Sequence, residues 1–369
     1  MTDTFFKGMD ISSLLEVERC HGCFYDGNSR KDLFAILQKY GVNLIRLRLW
    51  NDPFDEEGNS YLGGGCDLDT VRKLALRAQS AHMEWMLDFH YSDAWADPGK
   101  QIKPKAWKEY GVDALEEALY GYTKETLLSL KTDHLIPAIV SVGNELTHGL
   151  LWPEGRTPHF DNIARFISSA IKAVREVLPE SKVIIHLDNG GNMQLYRYWF
   201  EEYFMHGGSD FDMIGLSYYP VWHGTLPELK RNLAFLSEKY HKDLLIAETA
   251  YPFTLEDYQS QEGLEEEERK GMAARKENTT ILPFEISESG QKDFLETLVA
   301  LIREVPHGCG RGFVYWEPAW LPCKGSEWAS KAAIEYLHEK GPGGNEWANQ
   351  GLFDYEGNAL EALKCLKEM

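Results

Sequence analysis

The chain has 369 residues, 43% of them hydrophobic, and its 38 Lys+Arg against 58 Asp+Glu leave a net charge of −20. That length can bury a large core, while the charge opposes phosphate backbones and anionic lipid surfaces, so neither nucleic acid nor membrane is an expected partner. No apolar run approaches the roughly 18 residues of a membrane span.

Short β-branched or apolar runs predict strands at 5–11, 44–50, 84–91, 136–144, 182–188, 213–219, 243–249 and 312–317. Amphipathic stretches predict helices near 30–40, 68–81, 111–131, 160–178, 192–206, 226–240, 290–305 and 358–368. In 160–178, Phe160, Ile163, Ala164, Ile167, Ala170, Ile171, Val174 and Leu178 recur at spacings of three and four, and Pro179 ends the stripe. Eight strands alternating with eight helices predict an α/β fold, a closed (β/α)8 TIM barrel spanning 1–369 as one domain. A doubly wound open sheet would carry a Gly-rich phosphate loop after its first strand, and none occurs.

The segment 44–50 alternates with period two, so Ile45, Leu47 and Leu49 face one side and Arg46 and Arg48 the other. In a closed barrel the aliphatic set packs under the helices and both arginines enter the interior. Buried guanidiniums require carboxylate partners, so acidic side chains are expected inside the same barrel. Two long connections, 255–288 with its charge run Leu264–Lys270 and the Gly- and Trp-rich 319–350, follow the seventh and eighth strands. Both therefore fall on the face where barrel enzymes place their sites.

The strand ends collect chemistry-bearing residues. The fourth ends Ser141-Val-Gly-Asn-Glu145 and the seventh ends Ala247-Glu248-Thr. Either Glu alone would serve as a salt-bridge partner for Arg46 or Arg48. Two at matched strand ends suit glycosidic bond cleavage, where one carboxyl donates a proton and the other stays ionised. Asn144 beside the first is suited to a sugar hydroxyl, and Arg46 is suited to keeping a carboxylate ionised. The third strand adds Asp88, His90, Asp93 and Trp95; the fifth adds Asp188 and Asn189; the sixth adds Tyr218, Trp222 and His223. On the eighth, Trp316 is expected on the floor of a sugar subsite, Glu317 in structural pairing and Tyr315 in the core. Aromatic faces pack on the C–H faces of pyranose rings. Zinc, calcium-loop, P-loop and Ser-nucleophile motifs are absent, so a cofactor-free site is expected. The six cysteines, including Cys20 and Cys23, are sparse and read as ordinary reduced thiols.

Several of these motifs together are distinctive: Gly41-Val-Asn-Leu-Ile-Arg46-Leu-Arg-Leu-Trp50, Leu87-Asp-Phe-His-Tyr-Ser-Asp-Ala-Trp-Ala-Asp-Pro-Gly-Lys100, Val142-Gly-Asn-Glu145, Gly215-Leu-Ser-Tyr-Tyr-Pro-Val-Trp-His-Gly-Thr225, Ala247-Glu-Thr-Ala-Tyr-Pro252 and Tyr315-Trp-Glu-Pro-Ala-Trp320. From about residue 7 to residue 360 the chain resembles the endo-β-1,4-galactanases of glycoside hydrolase family 53. The resemblance implies Glu145 as acid/base and Glu248 as nucleophile, acting on the β-1,4-galactan of type I arabinogalactan with net retention. It implies Arg46, His90, Asn144, Tyr218 and Trp316 around the −1 subsite, and Trp95, Asp188, Trp222 and His223 along the galactan groove. Some bacterial members hold calcium in the loop after strand seven through closely spaced Asp, His and Asn. Residues 255–288 lack such a cluster, and no metal is expected. The start Met1–Gly8 has no basic stretch before an apolar core, which predicts a cytoplasmic protein, or a secreted one whose leader has been removed. A monomer is expected. Two rival readings are a glycosidase trimming short galacto-oligosaccharides and a non-catalytic carbohydrate-binding barrel.

Overall fold

The computed structural model describes residues 4–258, 272–274, 279, 281–340 and 343–369. The charge run 264–270, and with it much of the 255–288 connection, lies outside the described residues. All eight expected strands form: β1 (Phe6–Asp10), β2 (Leu44–Leu49), β3 (Glu84–Phe89), β4 (Ile139–Ser141), β5 (Lys182–Leu187), β6 (Met213–Ser217), β7 (Asp243–Thr249) and β8 (Gly310–Trp316). They pair in parallel and in sequence, and β8 closes on β1. Closure needs Gly312, whose φ is +130° and where an added Cβ would stand 2.0 Å from the carbonyl oxygen of Phe6.

The helices that cover the barrel are α1 (Leu33–Lys39), α2 (Leu68–Ser80), α3 (Val112–Thr132), α4 (Phe160–Val177), α5 (Met193–Met205), α6 (Leu226–Tyr240), α7 (Glu288–Arg303) and α8 (Glu361–Lys364). α4 buries Ile163, Ala164, Ile167, Ala170, Ile171 and Val174, the stripe read from the sequence. α6 starts with a reciprocal capping box between Thr225 and Glu228. The fourth strand is shorter than its apolar run, because Gly143 (φ +114°) and Glu145 (φ +49°) turn the chain out of extension. Two short helices, Leu14–Arg19 and Lys331–Tyr336, lie in connections where the sequence predicted no helix. Among the described residues, no helix is long and apolar enough to cross a membrane.

Alternation along the strands sorts the barrel interior into layers. The lower layer is aliphatic: Leu44, Met86, Ile139, Ile184, Met213, Leu245 and Val314 form one buried cluster. Two residues further along the strands, chemistry replaces packing, as Leu44 gives way to Arg46, Met86 to Asp88, Ile139 to Ser141 and Ile184 to His186. Arg46 donates to Asp10 (2.7 Å), Asp88 (2.8 Å) and Asn144 (2.9 Å), and lies 2.8 Å from Glu248. Arg48 donates to Asp10 (2.9 Å) and Glu317 (2.6 Å). The acidic interior that the two arginines required is present.

One irregularity decides which way a key residue faces. Counting by twos from Leu245 points Ala247 inward and Glu248 out towards the helices. Between β6 and β7 the register slips, so that Leu216 pairs with Ile246 but Ser217 pairs with Glu248. This bulge returns Glu248 to the interior, onto Arg46.

Replacing Arg48 with Met leaves Asp10 with half its cationic support and Glu317 with none. The expected loss of stability is about 3–5 kcal/mol, the range for breaking a buried ion pair. It would be read from denaturation midpoints at unchanged m-value. A loss under about 1 kcal/mol, the range of exposed pairs, would contradict this account.

Candidate active site

The C-terminal ends of the strands open into a cleft of about 330 Å³. Glu145 and Glu248 both line it, with Asn144, Asp188, His90, Arg48, Asp97 and Lys100. Its apolar walls are Trp95, Tyr219, Trp222, Trp316, Trp320, Trp328 and Trp347. Trp316 meets Trp347 edge-on at 4.5 Å between centroids, and Trp347 continues towards Trp222 at 6.3 Å. Arg48 lies beneath Trp95, with its guanidinium carbon 4.7 Å from the ring centroid. Trp222 is half exposed at the mouth of the cleft.

The two carboxyls sit in different surroundings. Glu248 accepts from the Tyr219 hydroxyl at 2.9 Å and is paired with Arg46. Glu145 stands in the left-handed region after Gly143, and no ion pair reaches it among the described residues. Burial pushes the Glu145 carboxyl well up, and the charges of Glu248 and Asp188 push it further. Burial also raises Glu248, with Asp88 and Asp10 adding to it, but Arg46 and the Tyr219 hydroxyl pull the other way and offset part of the rise. A single negative charge shared between the pair therefore settles on Glu248, beside the cation, and the proton settles on Glu145.

Beneath the cleft, burial would raise Asp88, but Arg46 and His90 outweigh it and hold that carboxyl well below the usual range. His90 Nδ1 accepts from the Trp50 indole N–H and the Ala96 amide, both at 3.2 Å. Its proton therefore sits on Nε2, 3.1 Å from Asp88. Asn144 is fixed in the same way: Oδ1 accepts from Arg46, one Nδ2 hydrogen goes to the Ala96 carbonyl, and the other remains for a ligand. Asp188 accepts from Thr147 and Asn189, and burial raises it.

The expected residues divide into three groups. Glu145, Glu248, His90, Trp95, Asn144, Asp188, Trp222, His223 and Trp316 line the cleft together. Arg46 and Asp88 lie under it as its electrostatic floor. Asp93, Asn189 and Tyr218 are not among its lining residues. Asp93 instead accepts from the backbone amides of Asp52 (2.9 Å) and Lys105 (2.6 Å), tying two loops together. Asn189 turns its amide to Asp188. Tyr218 sends its hydroxyl to the Gly224 carbonyl at 3.0 Å, and its neighbour Tyr219 reaches Glu248. Alternation along β6, inward at Met213 and Ser217, continues to Tyr219 and would have found it. Trp328, Glu346 and Trp347 come from the irregular 319–350 loop, where no periodicity marks a face. Glu317 pairs with Arg48 and Ser13, and Tyr315 is buried in the core, as expected.

A parallel (β/α)8 barrel whose rim sets a proton-bearing carboxyl and a cation-held carboxylate in one aromatic cleft has the architecture of the glycoside hydrolases. The chain belongs to Glycosyl hydrolase family 53, which matches residues 6–366. An endo-beta-1,4-galactanase of Bacillus subtilis (strain 168) is 35% identical over 100% of this chain and 86% of its own length. A Niallia circulans protein described as uncharacterized is 39% identical over 99% of this chain and 94% of its own. The solved Ignisphaera aggregans GH53 catalytic domain superposes with a TM-score of 0.89 at 35% identity, covering 100% of this chain and 96% of that one.

One support of the cleft carries its own pH dependence. Glu16 accepts from the amides of Gly64 (3.1 Å) and Glu327 (3.2 Å), the latter next to Trp328. Burial pushes its carboxyl from the ordinary 4.5 up to about 7, against those two hydrogen bonds. The folded chain thus holds the proton more tightly than the unfolded one. That contribution is complete below pH 4.5 and is lost as pH rises towards about 7. Glu16→Gln should flatten the stability–pH curve across this window, as measured by thermal melts; an unchanged slope would contradict the assignment.

Proposed function

We propose that the chain is a retaining endo-β-1,4-galactanase that cleaves the galactan of type I arabinogalactan by double displacement. The observation that carries the reading is the asymmetry of the two cleft carboxyls: Arg46 and Tyr219 contact Glu248 and favour its charged form, while no ion pair reaches Glu145 among the described residues. The similarity to the Bacillus subtilis endo-beta-1,4-galactanase supports the substrate class. In the first step Glu248 attacks the anomeric carbon while Glu145 protonates the departing glycosidic oxygen. In the second, Glu145 takes a proton from water, the water oxygen bonds to the anomeric carbon, and Glu248 leaves as a carboxylate. Asn144 and Asp188 supply hydrogen bonds to sugar hydroxyls, and Trp316, Trp347 and Trp222 supply apolar faces along the groove.

Linear β-1,4-galactan tests this directly. Wild type should lower its viscosity quickly and release first products in the β configuration by NMR. Glu145→Ala should lose about 10²–10⁴-fold, the span of general acid–base catalysis, and Glu248→Ala should be weaker still. Undiminished hydrolysis by either variant would refute the assignment. Cleavage of tri- and tetrasaccharides without loss of polymer viscosity would favour an oligosaccharide trimmer.

The rate should follow a bell in pH. Its acid limb reports Glu248, which must be ionised, and its alkaline limb reports Glu145, which must keep its proton. Burial and the Glu248 charge raise Glu145, so the alkaline limb should lie above the usual carboxylate range. An alkaline limb near the ordinary glutamate value would contradict this.

A further inference from the structure

Glu145 holds a backbone conformation that its residue type does not favour. β4 ends at Ser141, and Glu145 lies beyond it at φ +49° and ψ 56°, in the left-handed region. A residue with a Cβ is uncommon there, so the surroundings must impose the conformation. The direction of the Glu145 side chain is set by the two peptide groups that meet at its Cα. Rotation of the first is φ, and rotation of the second is ψ. One buried side chain reaches both. Gln101 Nε2 donates to the Asn144 carbonyl at 2.8 Å and makes a longer contact with the Glu145 carbonyl at 3.5 Å. It also lies 3.3 Å from the Asp97 carbonyl. Three carbonyl oxygens around this position require the amide nitrogen there, because the amide oxygen would meet acceptors only.

Gln101 is itself held in place. Asp97 and Lys100 exchange backbone hydrogen bonds at 2.8 and 3.0 Å across the turn Pro98-Gly99, and Gln101 follows directly. Its carbonyl accepts from the Trp152 amide at 2.8 Å, on the loop after β4. Asp97, Pro98 and Lys100 line the cleft, whereas Gln101 is 2% exposed and stands behind that wall. We propose that Gln101 is a positioning residue for the reaction: its amide pins both peptide groups flanking Glu145 and so aims the carboxyl at the sugar. The inference rests on Glu145 being the acid/base assigned above. An amide suits the task because it supplies N–H donors without a charge. A lysine in its place would set a cation beside Glu145 and favour loss of the proton that Glu145 must give. Gln101 exchanges no proton and touches no substrate; it acts through the backbone alone.

Gln101→Met keeps the bulk of the side chain and removes its donors. A misdirected acid should matter most where the leaving group needs a proton. On β-1,4-galactan, kcat/KM of Gln101→Met should fall about 10²-fold, the effect of a misplacement of roughly 1 Å. On a β-1,4-galactobioside with a dinitrophenyl leaving group, the first step needs no acid. There kcat/KM, which reports that step, should stay within about twofold of wild type. Gln101→Glu, the same shape with at most one donor, should show the same split. A residue needed only for folding would lower both substrates alike, so equal falls would overturn the proposal. In the crystal structure of Gln101→Met, residue 145 should leave φ near +49° while Glu248 keeps its 2.8 Å contact with Arg46. Residue 145 unmoved there would overturn the proposal whatever the substrate proves to be. A moved Glu145 in a protein whose wild type leaves galactan intact would support the role of Gln101 and defeat the galactanase reading.

Discussion

The contact on which the rest depends is Arg46 in the centre of the barrel. A guanidinium stripped of water is tolerable only when charge and hydrogen bonds surround it, and here Asp10, Asp88, Asn144 and Glu248 converge on it. The same contact that makes the buried cation affordable keeps the Glu248 carboxylate charged. Stability and reactivity therefore share one set of atoms. The partners come from β1, β3, the turn after β4 and β7, so Arg46 also fixes how far apart those strand ends stand.

The interior holds more acid than base: among the described residues, Asp10, Asp88, Glu248 and Glu317 pair with two arginines, Arg46 and Arg48. The surplus is managed by unequal pairing. Asp88 has both Arg46 and His90 and stays ionised, while burial raises Glu317, beside Arg48, to about 7. Glu145 sits above this cluster and feels its field without sharing its cation. The different surroundings of the two cleft carboxyls thus follow from which of them the guanidinium reaches, since the side chains themselves are chemically identical.

Much of this was legible in the sequence, for identifiable reasons. Period-two alternation in Leu44–Leu49 foretold both buried arginines and the acidic interior. The three-to-four spacing in Phe160–Val177 and the stop at Pro179 located a helix to within a residue or two. Chemistry at the strand ends picked out Glu145, Glu248, Asn144 and Trp316, which the structure brings into one cleft. What failed were choices between neighbours. Tyr218 and Tyr219 are chemically alike, and only continuing the alternation from Met213 and Ser217 separates them. Asp93 looks like a pocket acid in sequence because nothing local reveals the Asp52 and Lys105 amides that occupy it. Trp328 and Trp347 arrive on a loop whose path is set by remote contacts such as Glu16 to the Glu327 amide, and composition alone cannot orient them.

The slipped register between β6 and β7 has a consequence for how relatives are recognised. Glu248 faces inward because one extra residue is accommodated just before it. A homologue that lost that residue would keep the glutamate, yet would present it to the helices instead of the cleft. Within this lineage, counting residues between Leu245 and Glu248 is a sharper guide to a working enzyme than finding the glutamate itself.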